Sequence, residues 1–423
     1  MVNPVRLFTL SLVILSAYVR AATEPGPPVF LGVSGFGMDT PAGRGGKEIR
    51  VTNLHPDGPG SLRAALEADG PRIIVFEVGG VIDLGKKDLA ISAPFVTLAG
   101  QTAPSPGITI IRGSLLVQTH DVLIQHIRVR PGDAGEPKRS GWEPDGIAAI
   151  GGNAYNIVID HCSISWAVDE NVSVSGPRTE GSDATAHKIT LSNCIIAEGL
   201  NNASHSKGRH SKGALIHDFC KDIAVIGNLF AHNAQRNPYF KAHTTGVIVN
   251  NVIYNPGSTA IQLNYVPNEW RGSRFEPRNC RVSVVGNVLI HGQDTRRRLA
   301  LVSRLGDAYL EDNIAFDRNG GAVAVTAGNI RQLGEKPVWP EGLNPLRSKD
   351  VVEYITRHAG ARPKDRDEVD ERIIRQFLNR EGRIIDSQDE VGGYPDPAPS
   401  TRKLDVPDTN IGEWLSSLAS DLE

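Results

Sequence analysis

Short rows of alternating apolar residues recur along most of this chain, and they constrain its fold more than any other feature. The rows are Val96-x-Leu98, Val122-x-Ile124, Ile157-x-Ile159, Ile189-x-Leu191, Ile223-x-Val225, Ile248 with Asn250, Val282-x-Val284 and Leu310. Alternation at a period of two is typical of a strand with one buried face. Successive rows lie roughly 23 to 36 residues apart, a spacing that is typical of a solenoid in which every coil adds one strand.

Asparagines fall at one equivalent position after four of these rows. They are Asn228, Asn251, Asn287 and Asn313. Side chains stacked at the strand spacing of ~4.8 Å can hydrogen-bond to one another along the stack, so we expect an asparagine ladder at a tight turn. Cys162 and Cys194 occupy the same position in earlier rows and are expected to be stacked neighbours. The sequence leaves open whether they form a disulfide.

The fold class predicted from these rows is all-β, a right-handed, single-stranded parallel β-helix. The alternative is an antiparallel sandwich, in which strands tend to recur every ~8–12 residues with hairpin turns. The asparagine register across four rows favours the β-helix. Residues 60–68 predict a helical cap near the amino terminus, with Ser61 as N-cap.

The two ends of the chain differ from the repeating part. Residues 1–22 combine Arg6, a short apolar run and small residues at 21 and 22, which is typical of a secretory signal peptide. We therefore expect a secreted protein, with a β-helix catalytic domain over residues 23–330. Residues 331–423 predict a helical and irregular extension packed on the β-helix, in which Val369, Ile373 and Phe377 form one apolar stripe.

Composition limits the functions that this chain could have. The formal net charge is −3, so attraction to an acidic partner must come from a local cluster of cations. We find no nucleic-acid motif and no later membrane-spanning run, and we expect a monomer. The chain has four cysteines and no CxxC pair, which argues against a cysteine-based zinc site.

Three carboxylates are candidates for a metal site. Glu143 and Asp145 are two residues apart, and Asp169 follows one row later. Because stacked coils bring equivalent positions together, the three can meet at one surface spot. Ligation by oxygen alone suits Ca²⁺. The alternative interpretation is a set of unrelated surface acids.

Two groups of cations lie in the next rows. Arg236-Asn-Pro238 is followed by Lys241, and residues 204–215 form a basic loop that includes Lys212. Fixed positive charge suits an anionic substrate. The alternatives are an arginine that pairs with a structural acid and a loop that is merely solvated. The loop histidines are a weak metal candidate, because no acid flanks them in the sequence.

Several spaced motifs resemble those of the pectate lyases of polysaccharide lyase family 1. The run from Asp145-Gly to Asp160-His-Cys-Ser-Ile-Ser resembles one family motif, and Arg236-Asn-Pro-Tyr-Phe-Lys241 with the later Asn250-Asn251 resembles another. Gly-Pro-Gly-Ser-Leu-Arg at 58–63 resembles the family's amino-terminal cap. The motifs occur in the family's order between about residues 30 and 320.

The resemblance implies a β-helix that cleaves polygalacturonate by calcium-assisted β-elimination. It places Glu143, Asp145 and Asp169 at calcium-site carboxylates, Arg236 at the catalytic arginine, and Lys212 and Lys241 at substrate-binding cations. Two positions depart from the pattern: Ser173 stands where a second aspartate is usual, and Glu143 stands where aspartate is common.

Rival functions remain open from the sequence. They are a calcium-independent pectin lyase, a lyase acting on another uronate polymer and a non-catalytic carbohydrate-binding β-helix. The three carboxylates argue against the first of these. A hydrolytic polygalacturonase of the same fold ranks low, because its Asn-Thr-Asp and Gly-His-Gly motifs do not occur in this chain.

Overall fold

The structure is a computed structural model, and it describes residues 34–423. The signal peptide expected over residues 1–22 lies outside the described residues. Within them, nearly all strand pairing is parallel, and each coil of the chain contributes strands to three sheets in turn. The predicted parallel β-helix is confirmed.

Sheet 1 contains the rows that the sequence predicted. Its strands are Lys47–Val51, Arg72–Phe76, Val96–Ala99, Val122–Gln125, Tyr155–Asp160, His187–Ser192, Lys221–Ile226, Thr245–Val249 and Arg281–Val285, and it ends on the second half of Val302–Glu311.

Sheet 2 follows sheet 1 after a sharp turn. Its strands are Val78–Asp83, Ile108–Ile111, Ile127–Arg130, Ser163–Ser165, Ile195–Ala197, Leu229–Ala231, Val252–Tyr254, Val288–Ile290 and Ile314–Phe316.

Sheet 3 closes each coil after a loop of variable length. Its strands are Leu89–Ile91, Leu115–Val117, Ile147–Ile150, Glu170–Ser175, Lys212–Ile216, Tyr239–Phe240, Ile261–Leu263, Val302–Glu311 and Thr326–Gln332. The apolar side chains that point inward from the three sheets stack into one continuous core.

The turn from sheet 1 to sheet 2 has the same form in successive coils. Its first residue is left-handed, for example Asn193 with φ 51° and Asn250 with φ 54°, a conformation that asparagine, histidine and glycine adopt more readily than other residues. The next residue carries the predicted ladder. Asn228 donates to Asn251, Asn251 to Asn287 and Asn287 to Asn313, each at 3.0 Å. The asparagine ladder is confirmed.

The two cysteines extend this ladder toward the amino terminus. The backbone N–H of Cys162 donates to Sγ of Cys194 at 3.4 Å, and the N–H of Cys194 donates to Oδ1 of Asn228 at 2.8 Å. Cys162 and Cys194 are therefore stacked neighbours, as predicted. Both are free thiols.

Helices cover parts of this solenoid. Helix α1 (Leu62–Leu66) lies at the amino-terminal end, and the Ser61 hydroxyl accepts from the N–H of Ala64 at 3.2 Å. Ser61 is thus the N-cap that the sequence predicted. Helices α2 (Ser348–His358) and α3 (Glu368–Asn379) pack their apolar faces on the outside of sheet 2.

The rest of the carboxy-terminal segment returns to the amino-terminal coils. Residues 388–391 form a 3-10 turn, Ser400–Thr401 pairs antiparallel with Val78–Asp83, and helix α4 (Ile411–Leu422) packs on sheet 1. Helix α4 was not predicted from the sequence. No helix in residues 34–423 combines the length and the apolar character that a membrane crossing requires.

Candidate active site

An open groove of about 520 Å³ lies on the outside of sheet 3. Its floor is formed by side chains in one register row, since Ser173 pairs with Leu215 and Leu215 pairs with Tyr239 on adjacent strands. Side chains in register on parallel strands point the same way. The loops that enter and leave these strands supply the charged walls.

Three carboxylates meet at one end of the groove. They belong to Asp145, Asp169 and Glu170, each of which offers an oxygen atom within 4.8 Å of those of the other two. Asp145 precedes the strand Ile147–Ile150, and Asp169 and Glu170 come at the start of the next strand of sheet 3. Adjacent coils therefore bring together residues that are more than 20 positions apart in the sequence.

Each acid has a different set of partners. Asp145 Oδ1 accepts from the backbone N–H of Glu170 at 2.9 Å. Asp169 lies 2.6 Å from Nε2 of His210. Glu170 forms an ion pair with the guanidinium of Arg236.

These environments drive the pKa values of the two aspartates apart. Burial and the neighbouring charge of Asp169 raise the pKa of Asp145 well above its ordinary value. Burial also acts to raise the pKa of Asp169, but the hydrogen bond from His210 and the charge of that ring outweigh it, so that pKa is lowered. Two neighbouring carboxylates with opposite shifts are a feature of functional sites.

Glu143 lies beside this group rather than in it. Its Oε1 accepts from the N–H of Ser206 at 2.7 Å and is 3.4 Å from Nδ1 of His205. Asp145 and Asp169, which the sequence also proposed as metal ligands, do come together. The third member of the cluster that the structure brings together is Glu170.

Arg236 lines the same groove. Its backbone is left-handed with φ 63°, and the guanidinium carbon is 5.4 Å from the ring centre of Tyr239. Burial lowers the pKa of Arg236 below its ordinary value, although the charge of Asp169 opposes that shift. The guanidinium thus lies between the carboxylate cluster and the floor.

Lys241 also lines the groove and is already paired. Its Nζ is 2.5 Å from Oε2 of Glu269 and 3.2 Å from Oδ2 of Asp218. Arg178 contacts the same two carboxylates. Lys241, the second cation of the segment Arg236–Lys241, is therefore part of an ion-pair network of four residues.

Lys212 lies in an adjoining depression, which it lines together with Arg209 and Gln235. It is 7% exposed, and its Nζ lies 3.5 Å from Oε1 of Gln235. Burial lowers its pKa. The structure therefore brings Arg236 and Lys241 into the groove with the carboxylates and places Lys212 beside it.

The basic loop contributes two histidines that the sequence treated as weak candidates. The rings of His205 and His210 stack with centres 3.5 Å apart. With Asp169 they form a second group of possible metal ligands. The acid that the loop lacks in its own sequence comes from the preceding coil, a relation that only the register of the coils reveals.

The carboxylate cluster fits a hard cation. Three oxygen donors close together suit Ca²⁺, which takes carboxylate, carbonyl and water oxygens. Burial and the charge of Asp169 raise the pKa of Asp145, and a cation bound beside it would favour its ionised form. Ser173, which stands where the family usually has aspartate, lies on the floor and adds no charge.

Curated relatives extend over most of the chain. It is 33% identical over 391 residues to a probable pectate lyase C of Aspergillus flavus, a match that covers 89% of this chain and 84% of the relative. It is also 33% identical over 382 residues to a probable pectate lyase C of Emericella nidulans, covering 87% and 80%. No family model matches the chain.

Solved structures of similar fold have lower identity. The major cedar pollen allergen Jun a 1 superimposes with a TM-score of 0.57 at 18% identity, covering 78% of this chain and 92% of the allergen. A pectate lyase bound to a hexasaccharide superimposes with a TM-score of 0.54 at 15% identity, covering 78% and 96%. These likenesses support the parallel β-helix.

Proposed function

Because the chain belongs to the pectate lyase family, we propose that it is a polysaccharide lyase that cleaves (1→4)-α-D-galacturonan by calcium-assisted β-elimination. The observation that carries this proposal is the position of Arg236 in an open groove, next to the cluster of Asp145, Asp169 and Glu170. A buried arginine beside clustered oxygen ligands fits the elimination of a uronate better than hydrolysis or passive binding.

Asp145, Asp169 and Glu170 are the residues that would hold the calcium ion. When bound there, the ion supplies Lewis-acid polarisation of the substrate carboxylate and so acidifies the C–H bond at C5. The resemblance had assigned Glu143 in place of Glu170. We propose that Glu143 instead holds the basic loop in position through Ser206 and His205.

Arg236 is the proposed base. In the reaction the C5–H bond breaks, the C4–C5 double bond forms, and the C4–O bond breaks with its electron pair on the leaving oxygen. A guanidinium is an unusual base because it normally stays protonated. Burial in the groove lowers the pKa of Arg236 and so makes its neutral form easier to reach.

Cations around Arg236 would hold the substrate carboxylates. Lys207 is exposed and lines the groove near the acids, and Lys241 lines it near Glu269. Their charge would stabilise the negative charge that develops in the transition state. Lys212, in the adjoining depression, would contact a sugar that extends past the groove.

Three further proposals complete this function. The protein is exported by way of residues 1–22, it acts as a monomer, and residues 331–423 form a cover for sheets 1 and 2 instead of a second catalytic unit. Supporting the last point, α2, α3 and α4 pack on those two sheets, whereas the groove lies on sheet 3.

The direct test is incubation with polygalacturonate, with calcium or with a chelator, while ultraviolet absorbance of the unsaturated product is followed. We expect the absorbance to rise only with calcium. A rise that ignores the chelator would instead indicate pectin lyase-like chemistry, and no rise would indicate another uronate polymer or a binding role.

Arg236→Lys gives the sharper test of the base. We expect kcat to fall by about 10²–10⁴-fold, the range typical of a lost general base, while the fold is retained by circular dichroism. Since the neutral guanidine is the active form, the wild-type rate should rise toward alkaline pH. A rate that is flat from acid to neutral to alkaline pH would contradict the assignment.

A further inference from the structure

Two buried histidines stack at the turn between sheets 1 and 2, on a part of the coil that does not line the groove. His126 and His161 come from successive coils, and their ring centres are 5.2 Å apart with planes 11° from parallel. Both occupy the left-handed turn position, with φ 56° and 46°. Later coils place Asn193 and Gly227 there, so the turn itself does not require histidine.

The Nδ1 atom of each ring is already engaged. His126 Nδ1 is 2.8 Å from the carbonyl oxygen of Ala361, and His161 Nδ1 is 2.9 Å from Oδ2 of Asp160. Asp160 is itself held by the hydroxyl of Ser192 at 2.7 Å. Carbonyl and carboxylate partners of this kind orient the histidine ligands of metal sites.

The Nε2 atoms of both rings are buried without a hydrogen-bond partner among residues 34–423. His126 is 0% exposed and His161 is 4% exposed. An unsatisfied buried polar atom costs stability, so native structures rarely keep two of them side by side. An external electrophile that accepts these lone pairs would remove that cost.

A carboxylate next to α4 completes the group. Glu423 directly follows α4, and its Oε1 is 3.8 Å from His126 Nε2. The same oxygen is 3.5 Å from Nδ1 of His161, the atom that faces Asp160, so Nε2 is the nitrogen of His161 that is left to bind a ligand. Its side chain is 19% exposed, so the group has a path to solvent. Among the described residues, these three form a set whose ligand atoms lie within 4.8 Å of one another.

We propose that His126, His161 and Glu423 bind a divalent transition-metal ion of the zinc class, which fastens α4 to the β-helix. Two imidazoles with one carboxylate is a donor set that zinc accepts, with a water molecule in the fourth position. Calcium takes oxygen ligands and would favour the groove instead. The site is therefore separate in chemistry and in place from the calcium site proposed above.

The competing arrangement needs no metal. A protonated His161 could bridge Asp160 and Glu423 as an ion pair, which would also hold α4. That arrangement explains the contacts of His161 Nδ1. It does not explain His126. The ring proton of His126 is on Nδ1, which donates to the carbonyl oxygen of Ala361, so its Nε2 has no proton to donate to the nearby carboxylate of Glu423.

The test uses the full chain, without a histidine tag, after removal of metals with a chelator and dialysis. Zinc chloride is titrated by calorimetry, and Co²⁺ is added separately to record the visible spectrum of its bound form. We expect about one zinc site that depends on Glu423, and a rise in Tm on zinc addition. In Glu423→Gln and His126→Gln, zinc affinity should fall by at least about tenfold.

His210→Gln is the matched control, because it removes an imidazole from the other possible metal group, at Asp169 and His205. The proposed site should survive it. Zinc binding lost only in His210→Gln would place the metal in the groove and overturn the proposal. Absence of zinc binding in the wild type, or equal affinity in Glu423→Gln, would also overturn it. Glu423 is partly exposed, so its variant should fold even if His126→Gln does not.

Discussion

Asp145 is a buried carboxyl of the groove with a second carboxyl group beside it. Its carboxylate is held by one backbone N–H and lies near Asp169, and burial together with that neighbour raises its pKa. A carboxyl whose pKa is raised by folding ionises more easily in the unfolded chain. Its contribution to stability is therefore lost as pH rises from the unfolded pKa through the raised folded pKa.

Asp145→Asn should thus stabilise the calcium-free protein while it weakens calcium binding. The asparagine keeps the acceptor for the N–H of Glu170 and removes the charge. At neutral pH without calcium we expect Tm to rise by about 1–3 °C, and the gain in Tm that wild type shows on calcium addition should shrink. Scanning calorimetry with and without calcium measures both.

The exposed acid Asp183 provides the control for that variant. Asp183→Asn should leave both Tm values unchanged. A fall in Tm for Asp145→Asn without calcium would contradict the prediction, because it would show that the charge of Asp145 does not destabilise the calcium-free protein. In wild type, calcium affinity should increase with pH as Asp145 loses its proton, and in Asp145→Asn that pH dependence should weaken.

Glu269 holds Lys241 in an ion pair, and we expect a substrate carboxylate to compete for the same cation. Its Oε2 contacts both Lys241 and Arg178 at the groove wall, and its side chain is 34% exposed. Glu269→Gln should free positive charge for a galacturonate carboxylate and lower KM by about two- to fivefold, as expected of a partly exposed ion pair. Steady-state kinetics on polygalacturonate measures this. Glu276→Gln, an exposed acid nearby, should leave KM unchanged, and a raised KM in Glu269→Gln would show that the network positions Lys241 for binding.

Residue types in the groove were more predictable than their partners. Asp145, Asp169, Arg236 and Lys241 stand out in the sequence because of their motifs. Pairing of Arg236 with Glu170 depends on the register of the coils in sheet 3. Pairing of Lys241 with Glu269 depends on how the segment Pro267–Trp270 folds over the groove, and nothing in the local sequence encodes either contact. The position of Lys212 in the adjoining depression likewise depends on how its side chain leaves the strand.

Stacked turns are the element that holds the coils in register. In the ladder, Asn251 donates to Asn287 and to the carbonyl oxygen of Val225, accepts from Asn228, and is 0% exposed. Its loss would leave buried groups of two neighbouring coils unsatisfied. This explains why a single amide type recurs at this position.

Asn251→Ala should lower the free energy of unfolding by about 2–4 kcal/mol, because several buried partners lose their hydrogen bonds at once. Asn313→Ala, at the more exposed last position, should cost about 1 kcal/mol. Urea unfolding followed by circular dichroism compares them. Equal costs at the two positions would show that the ladder does not act through buried polar groups.

Elements with strong periodicity were predicted well. The rows of sheet 1 alternate clearly, and α2 and α3 carry amphipathic patterns, so the sequence identified them. Helix α4 follows a stretch rich in proline and aspartate, and its N-cap residue Asn410 makes no side-chain capping bond. With this weak start signal, it resembled the turn-rich tail before it.

At the scale of the whole molecule, the carboxy-terminal segment decides which sheet stays open. Helices α2 and α3 bury the outer apolar residues of sheet 2, and α4 buries those of sheet 1 near the amino terminus. The sequence predicted that this segment packs on the solenoid. It could not predict on which sheets, because the apolar stripe of a helix does not specify its partner surface.

Buried ion pairs lock α3 onto the solenoid. Asp370, which is 0% exposed, accepts from Arg130 at 2.8 Å, from Arg128 at 3.2 Å and from the hydroxyl of Ser163 at 2.6 Å. Both arginines lie on one strand of sheet 2, and their side chains are at most 1% exposed. Removing the carboxylate would leave two guanidinium groups with Asp367 as their remaining acidic partner among the described residues.

Asp370→Asn should therefore lower the free energy of unfolding by about 3–5 kcal/mol, the cost typical of breaking a buried ion pair from one side. Glu353→Gln breaks the exposed pair with Arg357 on α2 and should cost about 0.5 kcal/mol or less. Urea unfolding measures both variants. If the cover is what keeps sheet 2 from solvent, Asp370→Asn should also bind a hydrophobic dye at urea concentrations where the β-sheet circular dichroism is still native. If the dye binds only at urea concentrations where the β-sheet circular dichroism is also lost, the cover and the solenoid unfold as one unit.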